Sequence, residues 1–401
     1  MAKRKIQKPT RFERMYKVWD YLRKNTDRRH PTSIAKMRKD ENINAYIGDK
    51  ETINRLLKDM ANIMNLEDGG SDYKPEAEWR LYFDDFKKFY GDKERYERDD
   101  SDEDDSYIAN VMRIKNLYYN RTFSEKEVDS IIEGIMATRT LDSKSAQELV
   151  RKVEDNMTTV FYKRTPRHIC KVQEPELADR ELLKDNLAII QKAIDDNVRI
   201  QFRFNVYSYE KKLEPVREES DELSPYYIVA SGGKYYLLAA KEYEGYKPNM
   251  SIWRIDLMTD IEIPGRNDRL HIKGIPRIPK KNVSNLPEKW SEDFQLKHLN
   301  MSFDKPVPVT LRIKSEKCED NPKKRVRPGY TFLHDWFGDS FTYIRTEKEP
   351  PYDDIVRVEC SPYGMAHWAL QYSELVEVLE PESLREDIKI KIKALNEKYS
   401  L

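Results

Sequence analysis

The sequence has little cysteine and no long apolar run, and both shortages exclude classes of protein. Its three cysteines, Cys170, Cys318 and Cys360, are widely spaced and odd in number, which fits neither a disulfide framework nor a zinc site. No stretch approaches the roughly 18 apolar residues that a membrane helix needs, and no apolar segment follows the basic start of the chain. We therefore expect a soluble, cytoplasmic protein that contacts no membrane.

Signatures of catalysis are also missing. The six histidines are isolated from one another, and the chain has no Cys-x-x-Cys pair, Gly-x-Ser-x-Gly elbow or glycine-rich phosphate loop. Adjacent acids such as Asp353 and Asp354 could hold Mg²⁺ in a nuclease, but neighbouring acids in a chain with 36% charged residues are usually solvated. We expect no enzyme, no cofactor and no metal, with a metal-dependent nuclease as the weakest alternative.

Charge is balanced overall but unevenly distributed. The chain has 72 basic and 72 acidic residues, yet residues 1–60 hold 17 Lys or Arg against 8 Asp or Glu. Residues 91–110 hold nine acids against three bases, and the run 99–105 is typical of a solvated connector. A local basic surplus is what phosphate binding requires, although uneven patches also arise by chance in so charged a chain.

The basic region predicts three helices. Apolar residues recur at steps of three and four from Phe12 to Leu22, which predicts the first helix. Ser33 can cap a short second helix, and Asp49 can cap a third whose apolar face is Ile53, Leu56, Leu57 and Met60. Such an arrangement is what a helix-turn-helix needs to lay its last helix in a major groove. A generic three-helix bundle with a solvated basic face is the alternative.

The outward side chains of these helices are candidate contacts to double-stranded DNA. Asn54 and Arg55 carry groups suited to adenine and guanine edges. The remaining cations would bind phosphates: Arg38, Lys39, Lys50 and Lys58.

Residues 68–178 predict a turn, a wing and a helical hairpin. Asp68 to Tyr73 is a plausible turn before a wing-like strand. Ser124 and Glu127 form a capping box ahead of one helix, and a second helix runs through Ala146 to Met157.

From residue 179 the chain predicts one more helix and then a small bent sheet. The helix spans Asp179 to Asp196, after which the apolar period changes from helical to alternating. Strands are expected at 199–207, 225–230, 234–240, 251–257 and 258–263, with a Gly-Gly turn between the second and third. Residues 266–304 predict a linker with a short helix near Trp290 to Leu296.

The last hundred residues predict a compact α+β domain. Four strands are expected, at 307–313, 341–345, 355–360 and 375–379. Two helices are expected, at 364–372 and 382–399.

The order of these modules resembles bacterial WYL-domain transcriptional regulators. The resemblance rests on Ser224-Pro-Tyr-Tyr-Ile228, Lys234 to Ala240, Trp253-Arg-Ile-Asp256 and the terminal run Val376 to Arg385. Tyr235-Tyr236-Leu237 stands at the family's Trp-Tyr-Leu signature. The run from Lys50 to Met60 is similar to the family's recognition helix and adds Thr52 to the candidate DNA contacts.

The resemblance implies a multidomain α+β architecture. The expected domains are a winged helix-turn-helix (1–85), an acidic connector with a helical hairpin (86–178), a small Sm-like β-barrel or bent-sheet WYL domain (179–270), a linker (271–304) and a C-terminal α+β extension (305–401). That extension is associated in the family with dimer assembly, so we expect a homodimer.

The resemblance also implies a polar pocket that binds a nucleotide or oligonucleotide effector. Such a ligand needs a cationic fork, hydroxyl donors and aromatic faces for its bases. The candidates are Ser224, Tyr226, Tyr236 and Arg254. Alternatively, the tyrosines simply pack in the strands. Leu257 stands where the family often has a second arginine, which bears on ligand affinity and identity.

The function that these features predict is a ligand-responsive DNA-binding regulator, more in keeping with a repressor than with an activator. Family members often lie beside anti-phage defence genes, so the resemblance alone makes that context an expectation. The alternative is a nucleic-acid-binding accessory subunit that modulates a partner effector enzyme.

Overall fold

The computed structural model describes residues 9–67, 74–84, 114–138, 141–164, 180–318, 321–326 and 328–399. It divides the chain into two compact units, Met1–Glu174 and Pro175–Leu401. The predicted turn at 68–73, the acidic run at 99–105 and the helix start at Asp179 lie outside the described residues. Both units mix helices with antiparallel strands, so the predicted multidomain α+β class is confirmed.

The first unit begins with four helices, α1 (Arg11–Asn25), α2 (Ile34–Met37), α3 (Asn44–Ile47) and α4 (Lys50–Asn65). The three predicted helices are confirmed, and Ser33 and Asp49 cap α2 and α4 as expected. The stripe predicted for α1 is partly wrong. Val18 and Leu22 are buried, whereas Phe12 is 78% exposed.

A small sheet follows the helices. Strand β1 (Leu81–Tyr82) pairs antiparallel with β2 (Tyr118–Tyr119), and Thr32 bridges to Leu117. Asn65 fastens this sheet to the end of α4, because its Oδ1 accepts from the backbone of Arg80 and Leu81 at 2.8 and 3.1 Å. The helices and this sheet share one hydrophobic core, to which Leu57, Leu81 and Leu117 all belong.

The predicted helical hairpin is confirmed. Its helices are α5 (Glu125–Ala137) and α6 (Ser143–Met157), and Ser124 and Glu127 form the expected capping box. The apolar faces of the two helices meet through Val128, Ile132, Val150 and Val153.

The second unit opens with helix α7 (Arg180–Asp196) and a curled antiparallel sheet. The strands are β3 (Ile200–Tyr207), β4 (Leu213–Pro215), β5 (Asp221–Ser231), β6 (Lys234–Ala240), β7 (Met250–Arg254) and β8 (Met258–Glu262). Their order is β4-β3-β5-β6-β7, and β8 pairs back on β3, which curls the sheet into a partial barrel. One face of the sheet packs against α7 through residues such as Phe202 and Leu237.

The other face of the curled sheet is covered by residues 276–301, which were predicted to be a linker. Ile278, Val283, Phe294 and Met301 from this segment share a core cluster with Leu238 of β6. The short helix α8 (Phe294–Lys297) lies within it, slightly C-terminal of the prediction. This segment therefore forms part of the domain core.

The end of the chain forms a four-stranded antiparallel sheet with helices. Its strands β9 (Val307–Ile313), β12 (Thr342–Thr346), β13 (Asp354–Cys360) and β14 (Val376–Glu380) lie in the order β12-β13-β9-β14. Helix α9 (Thr331–Phe337) follows β9 and α10 (Pro362–Gln371) follows β13, which gives the βαββαβ connectivity of a ferredoxin-like domain. A hairpin of β10 (Glu316–Cys318) and β11 (Asn321–Val326) and the helix α11 (Glu382–Tyr399) complete the region. The strands and helices predicted here are confirmed, whereas α9 and the hairpin were not predicted.

No helix among the described residues combines the length and the apolar character required to cross a membrane.

Candidate functional site

The start of α4 presents the first candidate site. Asp49 accepts a hydrogen bond from the backbone N–H of Thr52 at 2.7 Å, and this bond holds the pKa of the Asp49 carboxyl below its usual range. Gly48 precedes it with φ of +68°, a backbone conformation that residues with a side chain rarely adopt. This tight turn places the exposed N-terminal end of α4 beside α2.

Cations that follow α2 and cations of α4 accompany this turn. Arg38 donates to the carbonyl of Gly48 at 3.1 Å, and Arg55 pairs with Glu51 at 2.9 Å on the same helix face. Lys39 and Lys50 are exposed, whereas Thr52 and Lys58 are half-buried. The face therefore offers several solvent-accessible cations and a half-buried hydroxyl at the end of a helix.

Asn54 corrects the sequence prediction, because it does not belong to this exposed face. Its side chain is 0% exposed and lies on the same side of α4 as Leu57, Ala61 and Asn65. The buried surface of α4 is wider than the predicted stripe, since the spacing 54, 57, 61, 65 follows the same helical period. Asn54 cannot reach a base edge while α4 stays packed.

The second candidate site lies on the curled sheet. Gly232 and Gly233, with φ of +56° and +74°, form the tight turn between β5 and β6, as predicted. Tyr236 lies between Val229 of β5 and Arg254 of β7 in one cross-strand row. The row brings together two of the four predicted ligand contacts, Tyr236 and Arg254.

The charge of Arg254 is already paired. Its Nε and Nη2 donate to the carboxylate of Asp256 at 3.1 and 2.5 Å, and Asp256 is buried. Burial by itself would lower the pKa of Arg254, but the hydrogen bonds and charge of Asp256 raise it above the ordinary value. Burial also raises the pKa of the half-buried Tyr236, so both side chains keep their protons at neutral pH.

Two buried asparagines hold the turn that carries Asp256. After β7 the chain makes one 3-10 turn at Ile255–Leu257. Asn186 of α7 donates to the carbonyls of Ile255 and Met258 at 3.2 and 2.8 Å, and Asn205 of β3 donates to the carbonyl of Leu257 at 3.0 Å. Sequence reasoning missed both residues, since a single buried amide leaves no periodic signal.

Ser224 and Tyr226 correct the prediction in the same way as Asn54. Both are buried, and both bind the backbone of Ile278: Ser224 accepts from its N–H at 3.0 Å, and the Tyr226 hydroxyl donates to its carbonyl at 2.7 Å. A bulge between Pro225 and Tyr227 inserts Tyr226 into the core, which breaks the expected alternation. These two residues fasten segment 276–301 to the sheet and have no free hydroxyl for a ligand.

Leu257, which stands where the family often has a second arginine, is buried. Leu257 is 8% exposed within the 3-10 turn, where its carbonyl accepts from Asn205. A half-buried Arg254 is thus the cation that this turn offers to a ligand.

Comparison with known proteins identifies the C-terminal domain. Residues 305–395 match the family model of the WCX domain, which confirms the resemblance of this region to the extension of WYL regulators. No curated protein matches the chain.

Two solved structures are similar to the chain. Proteasome accessory factor B/C (PafBC) of Arthrobacter aurescens is 16% identical, with a TM-score of 0.22; the match covers 72% of this chain and 40% of that one. The chain therefore spans less than half of the PafBC structure. The second, described as the crystal structure of a CRISPR Cas-related protein, is 14% identical with a TM-score of 0.28, and 87% of each chain is covered.

Proposed function

We propose that this chain, which carries a WCX domain at residues 305–395, is a transcriptional regulator that binds double-stranded DNA and senses a nucleotide or nucleic-acid fragment. The observation that supports it most is that α4, capped by Asp49, exposes Arg55. Arg38 donates to the carbonyl of Gly48 directly before this cap, and Lys39 next to it is exposed. A helix entering a major groove needs such a polar, cationic end together with phosphate contacts from the preceding helix.

In this proposal the reading residues are those that the solvent can reach. Arg55 is the candidate for a guanine edge, with Thr52 beside it, and the phosphate contacts are Arg38, Lys39, Lys50 and Lys58. Arg55 must exchange its pairing with Glu51 for the DNA contact. An exposed pair of this kind is worth only about 0.3–0.5 kcal/mol, so the exchange costs little.

The sensing site in this proposal is the row of Tyr236 and Arg254. The guanidinium would bind a phosphate, and the tyrosine ring would stack on a base. The ligand acts by linkage: it binds two arrangements of a homodimer with different affinity and so changes the spacing of the two recognition helices. The proposal includes repression and a link to anti-phage defence, both from the family resemblance.

Fluorescence anisotropy with the duplex upstream of the chain's own gene tests the DNA-binding half of this proposal. Arg55→Glu should weaken binding at least about tenfold, because it replaces a charge-assisted contact by repulsion. Lys144→Glu is the matched control, since it reverses an exposed charge on α6, outside the helix-turn-helix. Equal affinities of the two variants would overturn the proposed role of α4.

A further inference from the structure

A second polar cleft lies in the first unit, away from α4. A cavity of about 840 Å³ is bounded by the turn at 27–30, the start of α5 and the segment 157–163. A second cavity of about 890 Å³ adjoins it along the β1–β2 sheet, and both are lined by Arg28, Arg29 and Asn120. No residue of α4 lines either cavity. Volumes of about 300–1,000 Å³ are those of small-molecule sites.

Three cations of this cleft have no side-chain partner among the described residues, whereas most of its acidic side chains accept hydrogen bonds. Within the described parts of the chain, the side chains of Arg28, Arg29 and Lys163 make no hydrogen bond or ion pair. Asp27, in contrast, accepts from the backbone N–H groups of Arg29 and His30 at 2.7 and 2.8 Å and contacts the His30 ring at 3.0 Å.

Two further acids of the cleft are also engaged. Glu127 accepts from the backbone of Ser124 in the capping box, and Asp129 accepts from the hydroxyl of Tyr162 at 2.5 Å. These hydrogen bonds leave the carboxylates charged, so the balance follows from the residues themselves. The first cavity is lined by five cations, Arg28, Arg29, Arg121, Lys126 and Lys163, against four acids, and the described lining of the second holds Arg28 and Arg29 and no acid.

Arg121 adds an unsatisfied donor at the same place. Its Nη1 donates to the carbonyl of Thr26 at 3.2 Å, but its Nε and Nη2 are shielded from solvent and have no hydrogen-bond partner among the described residues. Burial lowers the pKa of Arg121, and the nearby charge of Asp27 opposes this only in part. Buried donors without acceptors are costly, and an anionic oxygen in the cavity would satisfy them.

Aromatic faces accompany the cations. His30 stacks on Phe161 with ring centroids 4.1 Å apart, and both line or border the first cavity. Tyr82 and Tyr118 stack at 5.0 Å along the second. Cations interleaved with stacked, partly exposed rings are what binds phosphates and bases of unpaired nucleic acid.

We propose that this cleft is a second nucleic-acid site, which binds the phosphate and base of a nucleotide or of a single strand. Arg28, Arg29 and Lys163 would contact phosphates, Arg121 would donate to a phosphate oxygen, and the His30–Phe161 pair would border a base. The site is independent of duplex recognition by α4 and of the Arg254 row. It gives the first unit a contact with unpaired nucleic acid.

The test uses the full chain and two probes, fluorescein-labelled oligo(dT) of ten nucleotides and ATP. The double variant Arg28→Glu, Arg29→Glu should bind the oligonucleotide at least about tenfold more weakly than the native chain. A plot of log affinity against log salt concentration should have a slope about 1.4 shallower for this double variant than for the native chain. Each lost phosphate contact to a single strand contributes about 0.7 to that slope. The matched control is Lys144→Glu, Lys152→Glu on α6, which should keep native affinity within about twofold, since neither side chain lies in the cleft.

The outcomes distinguish a single nucleotide from a strand as the ligand, and they distinguish binding in the cleft from binding at α4. Competition of ATP against the oligonucleotide identifies a single nucleotide as sufficient, and its absence identifies a strand. Arg55→Glu should leave oligonucleotide binding unchanged, so that failure of duplex binding and failure of the cleft are distinguishable. Both doubles exchange exposed residues, and thermal melting by circular dichroism checks that they fold. Equal binding by the two doubles, or no binding of either probe by the native chain, would overturn the proposal.

Discussion

Arg254 and Asp256 form a two-point ion pair at the end of β7, with N–O distances of 3.1 and 2.5 Å. Asp256 is buried, and Arg254 is half-buried beside Tyr236. An anionic ligand at this row must therefore share the guanidinium with a carboxylate or displace it. The protein therefore pairs its own candidate sensing residue with a buried carboxylate, and this relationship sets the first prediction.

Removing the competing carboxylate should strengthen ligand binding. Asp256→Asn keeps an acceptor for Arg254 but removes a unit charge, so we expect ATP affinity to rise about tenfold, as one charge removed from a partly buried site changes binding by about 1–4 kcal/mol. Isothermal titration calorimetry measures the ATP affinity. The titrations use a protein that also carries Arg28→Glu and Arg29→Glu, so that ATP binding in the cleft of the first unit does not contribute. The further change Arg254→Gln should abolish the gain. A gain that survives without Arg254 would rule out this site.

A substitution of Asn54, which the sequence suggested as a DNA contact, should instead affect the stability of the fold. Asn54→Asp places a charge in the core between α4 and its neighbours, and we expect the free energy of unfolding to fall by about 3 kcal/mol or more. Arg55→Ala, on the exposed face, should change it by less than about 0.5 kcal/mol. Urea denaturation compares the two. Similar, small effects of both changes would mean that Asn54 is exposed after all.

Tyr226 predicts a second stability effect, now in the curled-sheet domain. Tyr226→Phe leaves the buried carbonyl of Ile278 without its donor, which should destabilise the protein by about 1–3 kcal/mol. Tyr246→Phe is the matched control, because Tyr246 is 78% exposed. Both are measured by urea denaturation, and ATP binding should be unaffected in either. Loss of ATP binding by a stable Tyr226→Phe protein would restore a ligand role for this hydroxyl.

His298 predicts that stability falls in mild acid. The ring is buried against Phe294, and its Nδ1 lies 2.7 Å from the carbonyl oxygen of Ser302. Burial lowers the pKa of His298, so in mild acid the ring is protonated in the unfolded chain before it is protonated in the folded protein. The free energy of unfolding therefore decreases as the pH falls below about 6.5. The contribution of one such group is at most about 1.4 kcal/mol per pH unit.

Denaturation series from about pH 5.5 to about pH 7.5, one unit either side of the ordinary histidine pKa, check this prediction. His298→Gln should flatten the pH dependence, whereas His334→Gln, at an exposed position, should leave it unchanged. Identical profiles for all three proteins would assign the acid sensitivity to other groups.

The features that the sequence predicted well depend on local chemistry. Asp49 and Ser124 cap α4 and α5 with side-chain bonds inside one turn, and Gly232 and Gly233 supply the positive φ angles of a tight hairpin. Such signals lie within four residues and need no knowledge of the tertiary fold. Helix α3, with four residues, is too short to leave a period.

The features that the sequence missed depend on packing between distant segments. Asn54 is polar, yet the width of the buried face of α4 decides its place. Tyr226 is carried inward by a bulge, and the segment that supplies its partner, Ile278, was expected to be linker. The Arg254–Asp256 pair is two residues apart in sequence, but the change from β7 to a 3-10 turn that creates it depends on Asn186 and Asn205.

The measurement that tests the account most directly is a gel-shift titration of the full chain against the duplex upstream of its own gene, with random duplex as competitor at low and high salt. A sequence-specific complex that resists the competitor and persists at higher salt is the predicted result, since base contacts add to the phosphate term. Equal binding to both duplexes that disappears with salt would contradict it. The helix-turn-helix would then supply only a basic surface, as an accessory subunit of a partner enzyme would require.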